Sequence, residues 1–236
     1  MTRPPNPRLV ESLLAITAGL VAENGAESVT LREVAERAGV STTTVHYYFA
    51  DRGGLLEAAR RRAVQELDAA VGAAAEASAG AVERVTRIAE AFAGWSLGDP
   101  HSFALVFDAP PGQPPGRAAP TCGRTPALLR SALEQGVRSG ALHVDDVDLA
   151  ATLGFATMFG VVRLCLSGRL PPGRQGDPTT VLRAAVEGFL RTCAEASPPD
   201  GHLRLMPSLR PRRLDDDELD GLAAAGLDMP PGPETS

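Results

Sequence analysis

The feature that most constrains the fold is a pair of short helical patterns joined by a three-residue corner, between Thr30 and Phe49. Thr30 and Glu33 form a T-x-x-E capping box, which predicts the start of a short helix. Gly39 suits the left-handed conformation that ends a helix, and Ser41 suits the N-cap of the next one. Two helices joined by so short a corner predict a helix-turn-helix.

The second helix of this pair has an apolar side and a polar side. Val45, Tyr48 and Phe49 share one face through their i, i+3, i+4 spacing. The polar and aromatic side chains of the other face are Thr42, Thr43, Thr44, His46 and Tyr47. Such side chains can bond base edges and phosphates, and Arg32 on the preceding helix can reach the DNA backbone. Each residue alone fits an ordinary exposed helix equally well, so the prediction of a DNA-reading surface rests on their arrangement.

The rest of the chain has the pattern of an all-α protein. Alternating β-branched runs are nearly absent, and Ala/Leu/Arg/Glu-rich segments recur between Gly and Pro breaks. A first helix is predicted over 8–24, and Asp51 and Asp145 are predicted N-caps of later helices. The later helices are predicted near 81–98, 100–108, 125–139, 146–167 and 178–195.

Three regions are predicted along the chain. Residues 1–52 form the helix-turn-helix domain with its N-terminal arm, and residues 53–197 form a larger helical domain. The Pro- and acid-rich composition of residues 198–236 predicts a largely disordered tail. The alternative is that Leu214, Leu219 and Leu222 of this tail dock on the body or on a partner.

Charge is distributed unevenly along the sequence. The net charge of −6 argues against indiscriminate coating of nucleic acid or of an acidic membrane. Residues 1–62 nevertheless carry +1 and the remainder −7, as expected for a DNA-reading head on an acidic body. Arg3 and Arg8 on the N-terminal arm can add phosphate or minor-groove contacts. No signal peptide is recognisable and no run approaches the roughly 18 apolar residues of a membrane span, so we expect a soluble cytoplasmic protein with no membrane partner.

Neither a cofactor, nor a metal, nor a catalytic residue is predicted. The three cysteines, at positions 122, 165 and 193, form no CxxC pair and are expected to be small buried hydrophobes in a reducing cytoplasm. An acidic group beside His143 raises the alternative of a metal-dependent enzyme; its members are Asp145, Asp146 and Asp148. A helix N-terminus explains these acids more simply, because carboxylates are favourable there.

The stretch VTLREVAERAGVSTTTVHYYFADRGGLL, residues 29–56, resembles the N-terminal signature of TetR-family regulators. The AGVS corner, the YF ending and the paired leucines carry the resemblance. It implies a homodimer whose three N-terminal helices read a palindromic double-stranded DNA operator. It also implies that residues 53–197 bind a small-molecule effector and dimerise through the last two long helices. The family's DNA contacts fall at Thr30, Arg32, Thr42, Thr43, Thr44, His46, Tyr47, Tyr48 and Arg52.

Two further segments are similar to a TetR subgroup with a Trp-His-Gly type regulatory domain. They are AFAGWSLGDPHSFALVFDAPPGQPPG and ATMFGVVRLCLSGRL, with Met158, Phe159 and Gly160 at the place of the His-Gly pair. The resemblance implies an effector pocket lined by Phe92, Trp95, His101, Phe103, Phe107, Met158, Phe159 and Arg163. The alternative for these residues is ordinary core packing. The candidate dimer contacts are Leu149, Leu153, Val181, Leu182, Val186 and Phe189.

The predicted function is therefore that of a transcriptional repressor released from its operator by a small molecule. The alternative is a small-molecule binding protein that retains the helix-turn-helix as scaffold only. Salt-dependent retention on DNA separates the two, because neutralised phosphates release counterions.

Overall fold

The computed structural model describes residues 6–108, 123–170 and 178–195, and every regular element within them is helical. The helices are α1 Pro7–Asn24, α2 Leu31–Arg37, α3 Thr42–Phe49, α4 Arg52–Glu76, α5 Ala81–Gly98, α6 Pro100–Phe107, α7 Thr125–Arg138, α8 Val147–Leu166 and α9 Pro178–Ala194. A short 3₁₀ turn, Ala26–Ser28, separates α1 from α2. The all-α prediction is confirmed, and the numbered helix ranges agree to within one residue.

Side-chain caps fix the starts of α2, α3 and α4, the helices around the predicted corner. Thr30, Ser41 and Asp51 each accept a hydrogen bond from the backbone N–H three residues later, at 3.2, 3.2 and 2.7 Å. Such caps stabilise a helix start by about 1 kcal/mol and depend only on neighbouring residues. The predicted cap at Asp145 was wrong by one position, because α8 starts at Val147 and Asp146 makes the capping bond.

The described residues form two hydrophobic clusters, and α4 runs through both. Leu55 and Ala59 of α4 belong to the N-terminal cluster, which also contains core residues of α1, α2 and α3. Leu67 and Val71, two to three turns further on, belong to the body cluster with residues of α5 to α9. The domain boundary predicted at 52/53 therefore falls inside a continuous helix, and the two clusters share a rigid element.

Helix α8 is long and apolar enough, by length and composition, to cross a membrane. The sequence-based expectation that no run approaches such a span was wrong in this respect. The helix packs against α5, α7 and α9 through residues that include Met158 and Val162, as a core helix of a helical bundle does. Leu149 and Leu153 on its other side are 46% and 50% exposed.

Some predictions concern residues outside the described ranges. They are the character of the tail at 198–236, the alternative docking of Leu214, Leu219 and Leu222, the contact of Arg3 and the environment of Cys122.

Candidate nucleic-acid interface and ligand site

Helix α3 is attached to the protein by few side chains and presents the others outward. Val45 is its one fully buried residue, with Tyr48 and Phe49 half-buried beside it. Thr43 and His46 are exposed, and Tyr47 is 55% exposed. The structure therefore brings the predicted polar face together on one surface, adjacent to α2.

Two side chains of this surface also stabilise α3. The hydroxyl groups of Ser41 and Thr44 are hydrogen-bonded to each other at 2.8 Å, so Thr44 takes part in the N-cap. His46 Nδ1 lies 2.7 Å from the backbone oxygen of Ala50, which leaves Nε2 as the ring atom free to approach a phosphate. Thr42 is half-buried at the first position of the helix.

A tight turn between α3 and α4 fixes how α3 is held. Ala50 has φ 57° and ψ −57°, and the N–H of Asp51 donates to the oxygen of Phe49 at 2.6 Å. This is a γ-turn of the rare, strained kind. A Cβ at Gly54 would lie 2.3 Å from that same Phe49 oxygen, so only glycine fits there.

Tyr48 and Arg52, both predicted to contact DNA, make contacts within the protein. Tyr48 Oη accepts the N–H of Asn6 at 3.1 Å and so ties the start of α1 to α3. Arg52 Nη2 donates to the oxygen of Ala26 at 2.6 Å and lies 3.3 Å from Glu27 Oε2. These contacts position the helices relative to one another, and the predicted DNA contacts of both residues stay predictions.

Ion pairs decide which cations near α3 are available. Arg37 donates two hydrogen bonds to Glu23, at 2.8 and 3.1 Å, and this contact lowers the pKa of the Glu23 carboxyl. Arg8 and Arg32 are exposed and have no ion-pair partner among the described residues. Arg32 is on α2, and Arg8 is two residues from Asn6 at the start of α1. These two cations flank α3 and suit phosphate contacts.

Thr30 is exposed at the N-cap of α2, where its hydroxyl accepts the N–H of Glu33. The Thr30 side chain therefore caps α2 and is also exposed at the surface. Ser41 and Asn6, which support the site as N-caps, were not among the predicted site residues. Asn6 caps α1 through its side-chain oxygen, and an Asn before a Pro-initiated helix was the signal that could have identified it.

The predicted aromatic pocket residues lie together inside the body. Five phenylalanines form a cluster, which we call the phenylalanine cluster: Phe92, Phe103, Phe107, Phe155 and Phe159. Neighbouring ring centroids are 4.8 to 6.4 Å apart. Met158 is buried in the same core, and Trp95 packs against it. Phe155 was missed by sequence reasoning, although it lies one helical turn before Phe159.

The two predicted polar anchors of the pocket differ in position. The Arg163 guanidinium lies 6.0 Å from the ring centroid of Phe103 and forms a 2.6 Å ion pair with Asp108, at the edge of the phenylalanine cluster. His101 is exposed at the start of α6, and its ring lies next to Gly19 of α1. His101 therefore lies next to α1, and its predicted role as a polar anchor of the pocket stays a prediction.

The predicted dimer contacts divide into exposed and buried residues. Leu149 and Leu153 of α8 are exposed, and Val181 and Phe189 of α9 are half-buried. Leu182 and Val186 are 1% and 3% exposed in the core of the same chain, so they are not available to a partner. The apolar stripe of α9 is used for the protein's own core, and this corrects the assignment of those two residues.

Metal-ligating residues are not grouped anywhere in the described ranges. Cys193 is buried and Cys165 half-buried, and burial raises the pKa of both thiols. A raised thiol pKa disfavours the reactive thiolate. Both cysteines have the environment of structural rather than reactive residues.

An exposed recognition helix, a capped helix before it and a helical body with an aromatic interior define a helix-turn-helix protein of the regulator type. Two family profiles match the chain: bacterial regulatory proteins of the tetR family over residues 13–59, and the tetracyclin repressor-like C-terminal domain over residues 85–189. This chain belongs to the TetR family of bacterial regulatory proteins. Family and fold point to a regulator rather than an enzyme.

Individual known proteins agree with this assignment. The HTH-type transcriptional regulator BetI of Serratia proteamaculans is 39% identical over 61 residues, which are 26% of this chain and 31% of the relative. The match to such curated relatives thus spans about a third of their length. A solved protein of unknown function from Rhodococcus sp. RHA1 is 25% identical, with TM-score 0.67 over 83% of this chain and 100% of that one. The TetR-family regulator PfmR of Thermus thermophilus has the same fold, with 24% identity and TM-score 0.62 over 76% of this chain and 97% of that one.

Proposed function

We propose that this chain is a transcriptional repressor that binds a palindromic double-stranded DNA operator as a homodimer and is released by a small-molecule effector. The observation that carries the proposal is the outward polar face of α3. Thr43, His46 and Tyr47 are exposed on it, while Arg8 and Arg32, which have no ion-pair partner in the described ranges, lie on the neighbouring helices. A helix of this kind enters the major groove, and the flanking cations contact phosphates.

Dimerisation is supported by the exposed leucines of α8. Leu149 and Leu153 are large apolar side chains separated by one helical turn, and both are about half exposed. Burying them against a second copy removes apolar surface from water, which favours association. A dimer also places two helix-turn-helix domains on half-sites about 34 Å apart. Its affinity for the whole operator then exceeds the affinity of one domain for one half-site.

Release by an effector needs a physical link between the body and the reading head, and α6 supplies one. Phe103 and Phe107 of α6 belong to the phenylalanine cluster, whereas Leu105 belongs to the N-terminal cluster. Arg60 of α4 donates to the oxygen of Val106 at 3.1 Å. A ligand that displaces the α6 rings therefore shifts α4 and changes the spacing of the two heads. Couplings of this kind typically amount to about 1–3 kcal/mol.

The experiment is selection of genomic fragments, including the region upstream of the gene, followed by affinity measurement at several salt concentrations. Arg32→Ala and Tyr47→Ala are each expected to weaken operator binding about tenfold or more while sedimentation remains that of a dimer. Arg61→Ala, at an exposed arginine on α4 that pairs with Glu57, is the matched control and is expected to leave affinity unchanged. Equal affinity for all three variants would place the DNA contacts elsewhere.

Failure to retain any fragment at low salt would leave the protein as a small-molecule binder with a helix-turn-helix scaffold. A slope of log affinity against log salt that becomes shallower in Arg32→Ala would identify a lost phosphate contact.

A further inference from the structure

One buried hydroxyl in the described part of the chain lacks the partner that comparable hydroxyls have. Thr17, Ser78 and Ser96 are buried, and each donates to the backbone oxygen four residues earlier, at 2.7 to 2.8 Å. Thr125 is 0% exposed, and its Oγ1 has no hydrogen-bond partner among the residues that the structure describes. Thr125 is the first residue of α7, so no helical carbonyl lies four residues before it.

An unpaired buried hydroxyl is less favourable than a paired one, so its position requires an explanation. The start of α7 is not capped by a side chain of its own. The Asp68 carboxylate accepts the N–H of Arg124 at 2.5 Å and occupies the place that an anion would take at this helix terminus. The group that this helix start leaves for a ligand is therefore the neutral hydroxyl of Thr125.

The contacts that α4 makes with α6 and α7 place Thr125 near the phenylalanine cluster. Val64 of α4 lies against Gly123 at the start of α7, and Arg60, one turn earlier on α4, bonds the oxygen of Val106 at the end of α6. The end of α6 and the start of α7 are consequently neighbours along α4. Phe107 follows Val106 directly and belongs to the phenylalanine cluster.

The spacing of residues along α7 gives the same position for Thr125. Leu128 and Leu129 follow Thr125 by three and four residues, so all three share one face of α7. Leu129 is buried in the core cluster that contains Phe92 and Phe103, and Leu128 packs against that cluster. Thr125 therefore shares the face of α7 that packs into the core cluster containing Phe92 and Phe103.

The charges around this interior restrict what it can bind. The fully buried polar residues of the described chain are all neutral: Thr17, Ser78, Ser96, Ser102 and Thr125. Arg163, at the edge of the phenylalanine cluster, is already paired with Asp108 at 2.6 Å. Arg60 is partly buried, and its guanidinium already donates to the oxygen of Val106 at 3.1 Å. An ionised ligand would have to take its counter-charge from Arg60 or Arg163, both of which are engaged within the protein, and would pay a large desolvation cost. Aromatic walls with few polar groups favour an apolar ligand oriented by one hydrogen bond.

We propose that the effector is an uncharged, largely apolar molecule that places a carbonyl or hydroxyl oxygen on Thr125 Oγ1 and its apolar part against the phenylalanine cluster. Phe107, Phe155 and Phe159 are half-buried, so ring faces between α6 and α8 are accessible to it. This inference rests on the proposed effector-binding function and specifies the ligand class and the residue that selects it.

The test uses three probes of one shape: 2-acetylnaphthalene, the alkene 2-isopropenylnaphthalene and the carboxylate 2-naphthoate. Trp95 is the single tryptophan and packs against the core cluster, so quenching of its fluorescence reports binding. The ketone is expected to bind the full-length protein more tightly than the alkene, and the carboxylate is expected to bind weakest. Thr125→Val is expected to weaken the ketone about tenfold, equivalent to about 1.4 kcal/mol, and to leave the alkene unchanged.

Thr125→Ser keeps the hydroxyl and is expected to keep the preference for the ketone. In the absence of probe, Thr125→Val is expected to melt at the same temperature as the wild type or higher, because it removes an unpaired buried hydroxyl. A lower melting temperature would mean that Thr125 has a partner within the protein, and would overturn the proposal.

The proposal is also overturned if the ketone does not bind, if Thr125→Val weakens ketone and alkene equally, or if the carboxylate binds best and depends on Arg60 or Arg163. None of these measurements involves DNA. If the ketone does not bind but operator binding is intact, this inference alone is rejected. If no DNA is retained but the ketone binds, the proposed repressor function is rejected and the ligand site remains.

Discussion

At the scale of single residues, the joint between α3 and α4 depends on Gly54. Its Cα approaches the Phe49 oxygen so closely that a Cβ would lie 2.3 Å from it, whereas a Cβ at Gly53 would meet only Asp51 Oδ1, at 3.3 Å. Gly54→Ala is expected to lower the free energy of unfolding by about 1–3 kcal/mol, because the backbone must shift. Gly53→Ala, the matched control, is expected to be neutral or stabilising by up to about 1 kcal/mol through helix propensity. Urea unfolding measures both, and equal effects would show that the turn relaxes.

The pair of Glu23 and Arg37 predicts a pH dependence of stability. Arg37 lowers the pKa of Glu23 in the folded protein, so the stabilisation is complete above the ordinary glutamate pKa and is lost as pH falls through the lowered value. The stability difference between wild type and Glu23→Gln is therefore expected to be constant from about pH 7 to pH 5 and to shrink toward pH 3. In an Arg37→Gln background the difference should lose this pH dependence; a persistent slope would require another cause.

At the scale of elements, α3 depends on its N-cap. It has eight residues and one fully buried side chain, and a helix of this length is marginal without tertiary support. Ser41→Ala is expected to cost about 1 kcal/mol of stability and to weaken operator binding, because α3 frays at the end that enters the groove. Ser41→Asn retains a capping oxygen and is expected to retain both properties. Full operator affinity in Ser41→Ala would mean that bound DNA alone orders the helix.

At the scale of the whole molecule, the exposed leucines of α8 are expected to hold the dimer together. Leu149→Arg combined with Leu153→Arg is expected to give a monomer in sedimentation at micromolar concentration and to weaken operator binding by a factor of about 10² or more, since the bivalent contact is lost. Val82→Arg on α5 is the control, because Val82 is similarly exposed at 42% but lies outside α8 and α9. A dimer that persists in the double variant would place the interface elsewhere.

The helices themselves were predictable because their signals are local. A cap such as Thr30 or Ser41 bonds an N–H three residues away, and apolar periodicity is a property of one segment. The helix-turn-helix and its exposed α3 face followed from the same signals. Phe92, Phe103, Phe107 and Phe159, which the family resemblance placed around one pocket, lie together in the core, and their contact with a ligand stays a prediction.

Local signals could not determine which long-range neighbour each side chain meets. Tyr48 and Arg52 match the family pattern, but only the folded chain brings them to Asn6 and to Ala26. Leu182 and Leu149 are equally apolar in sequence, yet packing buries one and leaves the other exposed. The sequence by itself thus determined the helices, the caps around the helix-turn-helix and the family. The tertiary structure decided which apolar side chains stay exposed and that the Thr125 hydroxyl has no partner among the described residues, because both depend on contacts between distant segments.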